Sequence, residues 1–222
     1  MLAGQRLIAS DNKEVCLFPL EYMNISQGEN GQYSHQGTLN IDFVGWGANG
    51  RVYHCPYYAP VSCECVAGGS SNNWRVFTSL DVVHLANGNL SKITWVQMHD
   101  NNPPSVGDRF TQGDVMGHTG TAGNVTGDHV HFNFAEGVYQ GWQTVSSGQT
   151  ELVGSSHMYD ACYINDTVII NDENYNWRTY TGPTPPPPTQ NKKNKFPWFI
   201  YARKLRLKSQ NLKNVNIFVD IF

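Results

Sequence analysis

The segment HVHFNF, residues 129–134, carries the side chains best suited to chemistry in this chain. In a β-strand successive side chains point to opposite faces, so His129, His131 and Asn133 would share one open face while the apolar residues between them face the core. Two imidazoles one pleat apart can bind one metal ion, or one can bind it while the other acts beside it. Taken alone, however, such a pattern more often belongs to an edge strand with two solvated histidines.

Further candidate ligands lie upstream, in the segment SHQGTLNIDF at residues 34–43. His35 and Asp42 supply an imidazole and a carboxylate, separated by the turn-forming Gly37. Two histidines and one carboxylate would leave the fourth position of a tetrahedral zinc ion open to water, as in catalytic zinc sites. Such a site keeps a net positive charge, which favours a polarised water. Alone, His35 and Asp42 fit ordinary loop residues better.

A longer stretch, residues 107–134, reads GDRFTQGDVMGHTGTAGNVTGDHVHFNF. Together with the upstream His and Asp, it resembles the lysostaphin/LytM-type zinc metallopeptidases, the M23 group. The seven-residue separation of His35 and Asp42 is similar to that of bacteriophage tail and lysis endopeptidases. The stretches APVSCECVA at 59–67 and WVQMH at 95–99 match the order of the group's motifs.

The resemblance implies that His35, Asp42 and His131 are ligands of a Zn²⁺ cofactor, and that His129 and His99 are catalytic. It implies no other cofactor site. Departures from the usual pattern leave the substrate preference open; they are His118, Asp128 and Asn133. With histidines as the working groups, activity is expected to fall as the pH drops through about 6–7.

The remaining histidines have no matching motif position and are expected to be structural; they are His54, His84, His118 and His157. A second zinc site made of His54, Cys55, Cys63 and Cys65 is disfavoured, because the Cys-X-Cys spacing is unlike a zinc knuckle. Buried, reduced cysteines on adjacent strands are the better interpretation.

The composition favours β-structure around these motifs. Charged residues make up only 15% of the 222 residues, against about 25% on average, which argues against a coiled coil, a helical bundle or a highly charged disordered chain. The chain holds 21 Gly, 11 Tyr, 10 Phe and six Trp, and its turn signals separate short apolar runs. We predict an all-β domain, mostly antiparallel, with long loops and an M23 peptidase-like groove. Strands are expected at 61–67, 79–85, 93–99, 129–135 and 163–170.

A proline run at 183–188 divides the chain. We predict a peptidase-like domain over 1–182, a stiff proline-rich linker over 183–191 and a basic, aromatic tail over 192–222. The tail carries eight of the 15 Lys and Arg residues but one acid, Asp220. It could make weak contact with an anionic wall polymer or membrane surface, or it could be a disordered end or an added strand.

The predicted function is zinc-dependent cleavage of peptide stems or cross-bridges in bacterial peptidoglycan by a phage-encoded enzyme. The expected partners are peptidoglycan and phage tail proteins, and no nucleic acid. The N-terminus lacks the pattern of a signal peptide, so delivery in a virion or release at lysis is expected to bring the protein to the cell wall. The alternatives are a non-catalytic phage tail protein that keeps the fold and binds the wall, and a metal-free carrier or sugar-binding β-module.

Overall fold

The computed structural model describes residues 1–172 and 175–185. Short strands dominate this part of the chain, and its helices are the single turn α1 (Met158–Ala161) and a 3-10 turn at Ser71–Asn73. The strands in chain order are β1 (Tyr22–Gln27), β2 (Ile41–Gly47), β3 (Gly50–Val52), β4 (Pro56–Tyr58), β5 (Cys63–Gly68), β6 (Arg75–Ser79), β7 (Val83–His84), β8 (Leu90–Ser91), β9 (Ile93–Met98), β10 (Arg109–Phe110), β11 (Val115–His118), β12 (Val130–Glu136), β13 (Trp142–Thr144), β14 (Thr150–Leu152), β15 (Ser155–Ser156) and β16 (Val168–Ile170).

One large sheet organises the domain. Its strand order is β10-β5-β6-β9-β12-β2-β1-β16, with β3 paired to β2 and β15 paired to β12. The pairings in this sheet are antiparallel except that of β1 with β16. Smaller two-stranded sheets join β4 to β11, β7 to β8 and β13 to β14. The prediction of an all-β, mostly antiparallel domain is confirmed.

The two faces of the sheet are covered by different groups of side chains. Val130, Phe132 and Phe134 point into the main core, where Phe132 contacts Phe43 across the neighbouring strand. The opposite face of β12 carries His131, Asn133 and Ala135, because side chains alternate along a strand. The alternation predicted for this segment is therefore present.

The face that carries His131 is not open along its length, which corrects one expectation. Asn133 is buried, and its side chain accepts a hydrogen bond from Leu152 N and donates one to Ser155 Oγ. These bonds fix the β14–β15 segment against β12. Since β12 lies between β9 and β2, the alternative of an edge strand with two solvated histidines is wrong.

Two predicted strands are shorter than expected. Within 79–85, β6 ends at Ser79 and the chain leaves the sheet before β7, since the Ser79 side chain bonds Asp81 O and Ile93 N instead. Within 163–170, the strand is limited to β16. A turn at residues 86–89 joins β7 to β8, and Leu85 N donates to Asn89 O across it.

Most of the predicted linker and all of the predicted tail lie outside the described residues, which end at Pro185. Residues just before and at the start of the proline run contact the body: Trp177 packs edge-on against Phe18, and Ser10 N donates to Pro183 O. No helix in the described ranges is long and apolar enough to cross a membrane.

Candidate metal centre and active site

Asp42 and His131 face each other across neighbouring strands. They are directly opposed in the β2–β12 register, and Asp42 Oδ1 lies 2.9 Å from His131 Nδ1. His35 Nε2 lies 3.4 Å from the same carboxylate oxygen. One ligand atom from each of the three residues lies within 4.8 Å of the other two, close enough for all three to hold one metal ion. The structure thus brings the three predicted ligands together.

His35 reaches this position from the loop between β1 and β2. Its backbone is fixed by a bond from His35 N to Gly31 O and by two bonds that Thr38 donates to His35 O. Its ring Nδ1 donates to Gly28 O at 3.1 Å, so Nε2 keeps its lone pair and faces Asp42. A ring nitrogen held by a backbone carbonyl is the usual way in which proteins orient a metal-binding histidine.

The electrostatics of the three residues suit a cation. Burial would raise the pKa of Asp42, but the hydrogen bond from His131 and the neighbouring His35 ring outweigh burial and hold this pKa below its usual range. Burial lowers the pKa of His131, which favours its neutral, ligating form. Two imidazole nitrogens and one carboxylate oxygen are donors that a divalent transition metal accepts. His131 Nε2 is buried and has no hydrogen-bond partner among the described residues.

His99 and His129 lie beside the three candidate ligands. Their ring centroids are 4.5 Å apart, and His129 Nε2 lies 3.8 Å from Asp42 Oδ2. In each ring Nδ1 bonds a backbone carbonyl, that of Ala122 for His99 and that of Gly127 for His129. Each Nε2 is therefore free to exchange a proton with a bound molecule. All five predicted site residues lie in one place.

Burial is the main cause that lowers the pKa of His99 to about 4. The hydrogen bond to Ala122 O acts in the opposite direction, and the nearby His129 lowers the pKa a little further. His99 thus stays neutral well below pH 6. A fall in activity at pH 6–7, as expected from the sequence, would therefore not arise from protonation of His99.

Asp100, which the sequence did not indicate as a site residue, has a buried carboxylate that helps to position His99. Asp100 Oδ2 accepts bonds from Tyr57 OH at 3.1 Å and from His118 N at 2.7 Å, and Oδ1 accepts one from Asn102 N at 2.8 Å. His99 has a φ of 78°, which a residue other than glycine adopts at a cost. Asp100 therefore ties the strained end of β9 to β4 and to the end of β11.

Two glycines allow this close packing. A Cβ at Gly117 would lie 2.4 Å from Asp100 Oδ2, and a Cβ at Gly120 would lie 2.2 Å from His99 O. These glycines therefore allow residues 117–120 to approach the chain closely at His99 and Asp100, a requirement that only the three-dimensional structure reveals.

The three motif departures have structural roles. Asp128 accepts bonds from Thr119 Oγ1 at 2.6 Å and from His54 N at 3.2 Å, so it closes the loop before His129. The His118 ring stacks on His54, with centroids 4.3 Å apart. Asn133 holds the β14–β15 segment, as described above.

The other histidines contact acids or each other. His84 Nε2 lies 3.0 Å from an Asp11 oxygen, and His157 Nδ1 lies 2.6 Å from a Glu29 oxygen. Of the described residues, the only group of three His, Cys, Asp or Glu side chains that could share an ion is the one at Asp42. The disfavoured second site around Cys55 is therefore not assembled, and all five cysteines are free.

Four of the five site residues line one groove. Its cavity has a volume of about 270 Å³ and is lined by these four, Asp42, His99, His129 and His131, with Arg51 among the other lining residues. His35 lies behind Asp42, almost fully buried. A metal held here would be accessible to a molecule in the groove.

The chain is similar in sequence to a phage protein. Over 169 aligned residues the chain is 43% identical to Morphogenesis protein 1 of Bacillus phage B103. The alignment covers 75% of this chain and 44% of the phage protein. The chain thus spans less than half the length of this phage relative. No protein-family model matches the chain.

Among solved structures, the chain is similar to several peptidases. The catalytic domain of lysostaphin from Staphylococcus simulans is 22% identical, with 51% of this chain and 79% of that one covered and a TM-score of 0.37. A prophage-encoded M23 protein, EnpA, from Enterococcus faecalis is 16% identical, with coverages of 51% and 81% and a TM-score of 0.37. A zinc-containing peptidase from Vibrio cholerae is 14% identical, with coverages of 68% and 46% and a TM-score of 0.38.

Proposed function

We propose that this domain is a phage-encoded, zinc-dependent endopeptidase of the M23 group that cleaves peptide stems or cross-bridges of bacterial peptidoglycan. The observation that carries the proposal is the convergence of five residues at one groove: three with ligand atoms turned toward one point, and two histidines with Nε2 free beside them. The 43% identity to a phage protein supports the phage origin.

His35, Asp42 and His131 would hold the zinc ion, through Nε2, a carboxylate oxygen and Nδ1 respectively. Bound zinc would supply Lewis acidity toward the scissile carbonyl and lower the pKa of a water molecule. The part of this chain is to keep the three donors in place. Asp42 and His131 are fixed by the register of a buried sheet, and His35 by the bond from its ring to Gly28 O.

His99 and His129 would move protons and stabilise charge. In the neutral ring of each, the proton sits on Nδ1 and is used by a carbonyl, so Nε2 can accept a proton from the attacking water. Once protonated, the same nitrogen can donate to the developing oxyanion or to the leaving amine. Burial lowers the pKa of His99, so its ring is neutral at neutral pH and Nε2 is open to a proton.

A second candidate function is a non-catalytic virion protein that keeps the fold and binds the cell wall. The name of the phage relative, a morphogenesis protein, favours it. Such a protein would not need both His99 and His129 oriented toward the candidate ligands. The two functions differ in whether peptide bonds are broken.

The test is hydrolysis of purified walls. Walls of several Gram-positive species would be incubated with the protein, and soluble fragments analysed by mass. We expect fragments with one new amine and one new carboxylate per cut, formed with added zinc and suppressed by a chelator. Wall binding without any new amine would support the virion protein instead.

A further inference from the structure

Arg51 differs from the other basic side chains of the described chain. Of the six others, four pair with carboxylates: Arg6 with Glu14, Lys13 with Asp11, Arg109 with Glu64 and Arg178 with Asp160. Arg75 and Lys92 each donate more than one bond to backbone carbonyls. The one hydrogen bond that Arg51 makes within the described residues runs from Nη2 to Asp128 O, at 2.7 Å. No described carboxylate lies within ion-pair distance of Arg51, so its guanidinium keeps unused donors.

This arginine lies in the groove that holds the candidate site. It lines the same cavity as Asp42, His99 and His129, and it is the one lysine or arginine among the described residues that do so. Arg51 sits on β3, opposite Trp46 of β2, the strand that also carries Asp42. A fixed positive charge therefore stands along the path that a bound chain would follow.

The guanidinium is held in place before any ligand binds. It lies over the Tyr53 ring, 4.9 Å from the ring centroid, and it is anchored on the Asp128 carbonyl. The nearby Asp128 carboxylate is occupied by Thr119 Oγ1 and His54 N. Because the Asp128 carboxylate bonds these two groups and not Arg51, the remaining N–H donors of the guanidinium are available to an incoming anion.

We propose that Arg51 forms a subsite for a free carboxylate on the peptide that is cleaved, close to the scissile bond. This inference rests on the proposed function and narrows its substrate class to acidic peptides. A guanidinium presents paired N–H donors that match a carboxylate, and a stacked arginine loses little freedom when it binds one. A peptide whose carboxylate is blocked as an amide would lose this contact.

The experiment compares two forms of one substrate. Soluble peptides released from purified Bacillus walls by an amidase would be used as they are, and after conversion of their carboxylates to carboxamides with ammonia and a carbodiimide. For the wild type we expect kcat/KM to be about 10-fold or more higher on the acidic form, mainly through KM. Raising the salt concentration should reduce this ratio, because the contact is exposed.

In Arg51→Ala we expect the ratio of kcat/KM between the acidic and the amidated form to fall toward one. Arg51→Lys should give an intermediate ratio, because lysine keeps the charge but lacks the paired N–H donors of a guanidinium. Arg109→Ala, which removes a basic residue paired with Glu64, is the matched control and should keep the wild-type ratio. A wild-type enzyme that cleaves both forms equally, or an Arg51→Ala variant that keeps the full ratio, would overturn the subsite.

Equilibrium binding separates this inference from the proposed function. If neither form is cleaved, the peptidase proposal fails, and calorimetric titration of the same two peptide preparations decides the subsite. We expect tighter binding of the acidic form by the wild type and no such difference in Arg51→Ala. Equal binding of both forms by the wild type would contradict the subsite whatever the activity.

Discussion

Asp42 and His131 lie opposite each other inside two long strands, whereas His99 and His129 sit just where strands end and loops begin. The first pair is placed by the hydrogen-bond register of the sheet. The second pair is placed by loop carbonyls and by the buried carboxylate of Asp100. The sheet itself therefore positions two of the three candidate metal ligands, while the two candidate proton-transfer histidines depend on a few polar contacts in loops.

Loss of Asp42 should have the largest effect. Asp42→Ala leaves two imidazoles, too few for a tight metal site, so the protein purified without added metal should hold far less zinc than wild type. Wall hydrolysis should fall by about 10³-fold or more, since the Lewis acid is lost with its ligand. Metal analysis and fragment release measure both effects. Equal zinc in variant and wild type would contradict the assignment of Asp42.

Loss of His99 should remove a proton-transfer group and leave zinc binding unchanged. His99→Ala should keep its zinc and lose about 10²-fold in turnover, the usual size for a proton-transfer group. His157→Ala, which alters a ring bonded to Glu29 outside the groove, is the control and should retain wild-type turnover. A zinc content that falls in parallel with turnover would mean that His99 is a metal ligand.

The pH profile sharpens the role of His99. Its pKa is lowered to about 4, so this imidazole is neutral above that pH and becomes protonated only below it. A base must be neutral, so any loss of activity caused by His99 should appear near pH 4 and not at 6–7. The profile of kcat/KM for wild type and for His99→Ala, measured down to pH 4, tests this. A limb at pH 6–7 that is present in wild type and lost in His99→Ala would contradict the assignment.

Removal of the Asp100 carboxylate should have an intermediate effect. In Asp100→Asn one of the two carboxylate oxygens becomes an NH2 donor, so the side chain can no longer accept from Tyr57 OH, His118 N and Asn102 N together, and we expect stability to fall by about 1–3 kcal/mol. Because His99 would be less well placed, kcat should fall about 10-fold with little change in KM or zinc. Asp114→Asn alters an exposed turn carboxylate and is the control. A variant with wild-type kcat would show that Asp100 serves the fold alone.

Removal of the tail should have the smallest effect on chemistry. A truncation after Gly182 loses one backbone bond to the body, from Ser10 N to Pro183 O. It should fold, hold zinc and cleave soluble wall peptides as the full chain does. It should bind intact walls or anionic vesicles more weakly, with a difference that shrinks at high salt. Insolubility or loss of zinc would place the domain boundary elsewhere.

The sequence could predict the side of the sheet on which each strand residue lies, but not which strands become neighbours. Alternation along 129–134 assigned His131 to the face opposite Phe132, and this holds because the apolar side chains are buried in the core. That Asp42 would stand directly across from His131 depends on the β2–β12 register, which pairs residues 89 positions apart. Motif resemblance suggested their proximity, and the sheet supplies the geometry.

Asp100 could not be found in this way. An acidic residue after a histidine at a strand end has no periodic signal, and its partners Tyr57 and His118 lie far from it in sequence. Asn133 was expected on an open face for a similar reason: the cover that buries it comes from the later segment at 150–156. Long-range polar contacts, unlike strand alternation, leave no local pattern.

The central claim is that two histidines on one segment, two positions apart, have different tasks. Zinc measured in purified His131→Ala and His129→Ala proteins tests it most directly, with wild type alongside and folding checked by circular dichroism. The account predicts that His131→Ala loses most of its zinc, because its Nδ1 faces Asp42, and that His129→Ala keeps one zinc per chain while losing turnover. Retained zinc in His131→Ala, or zinc lost from His129→Ala, would contradict it.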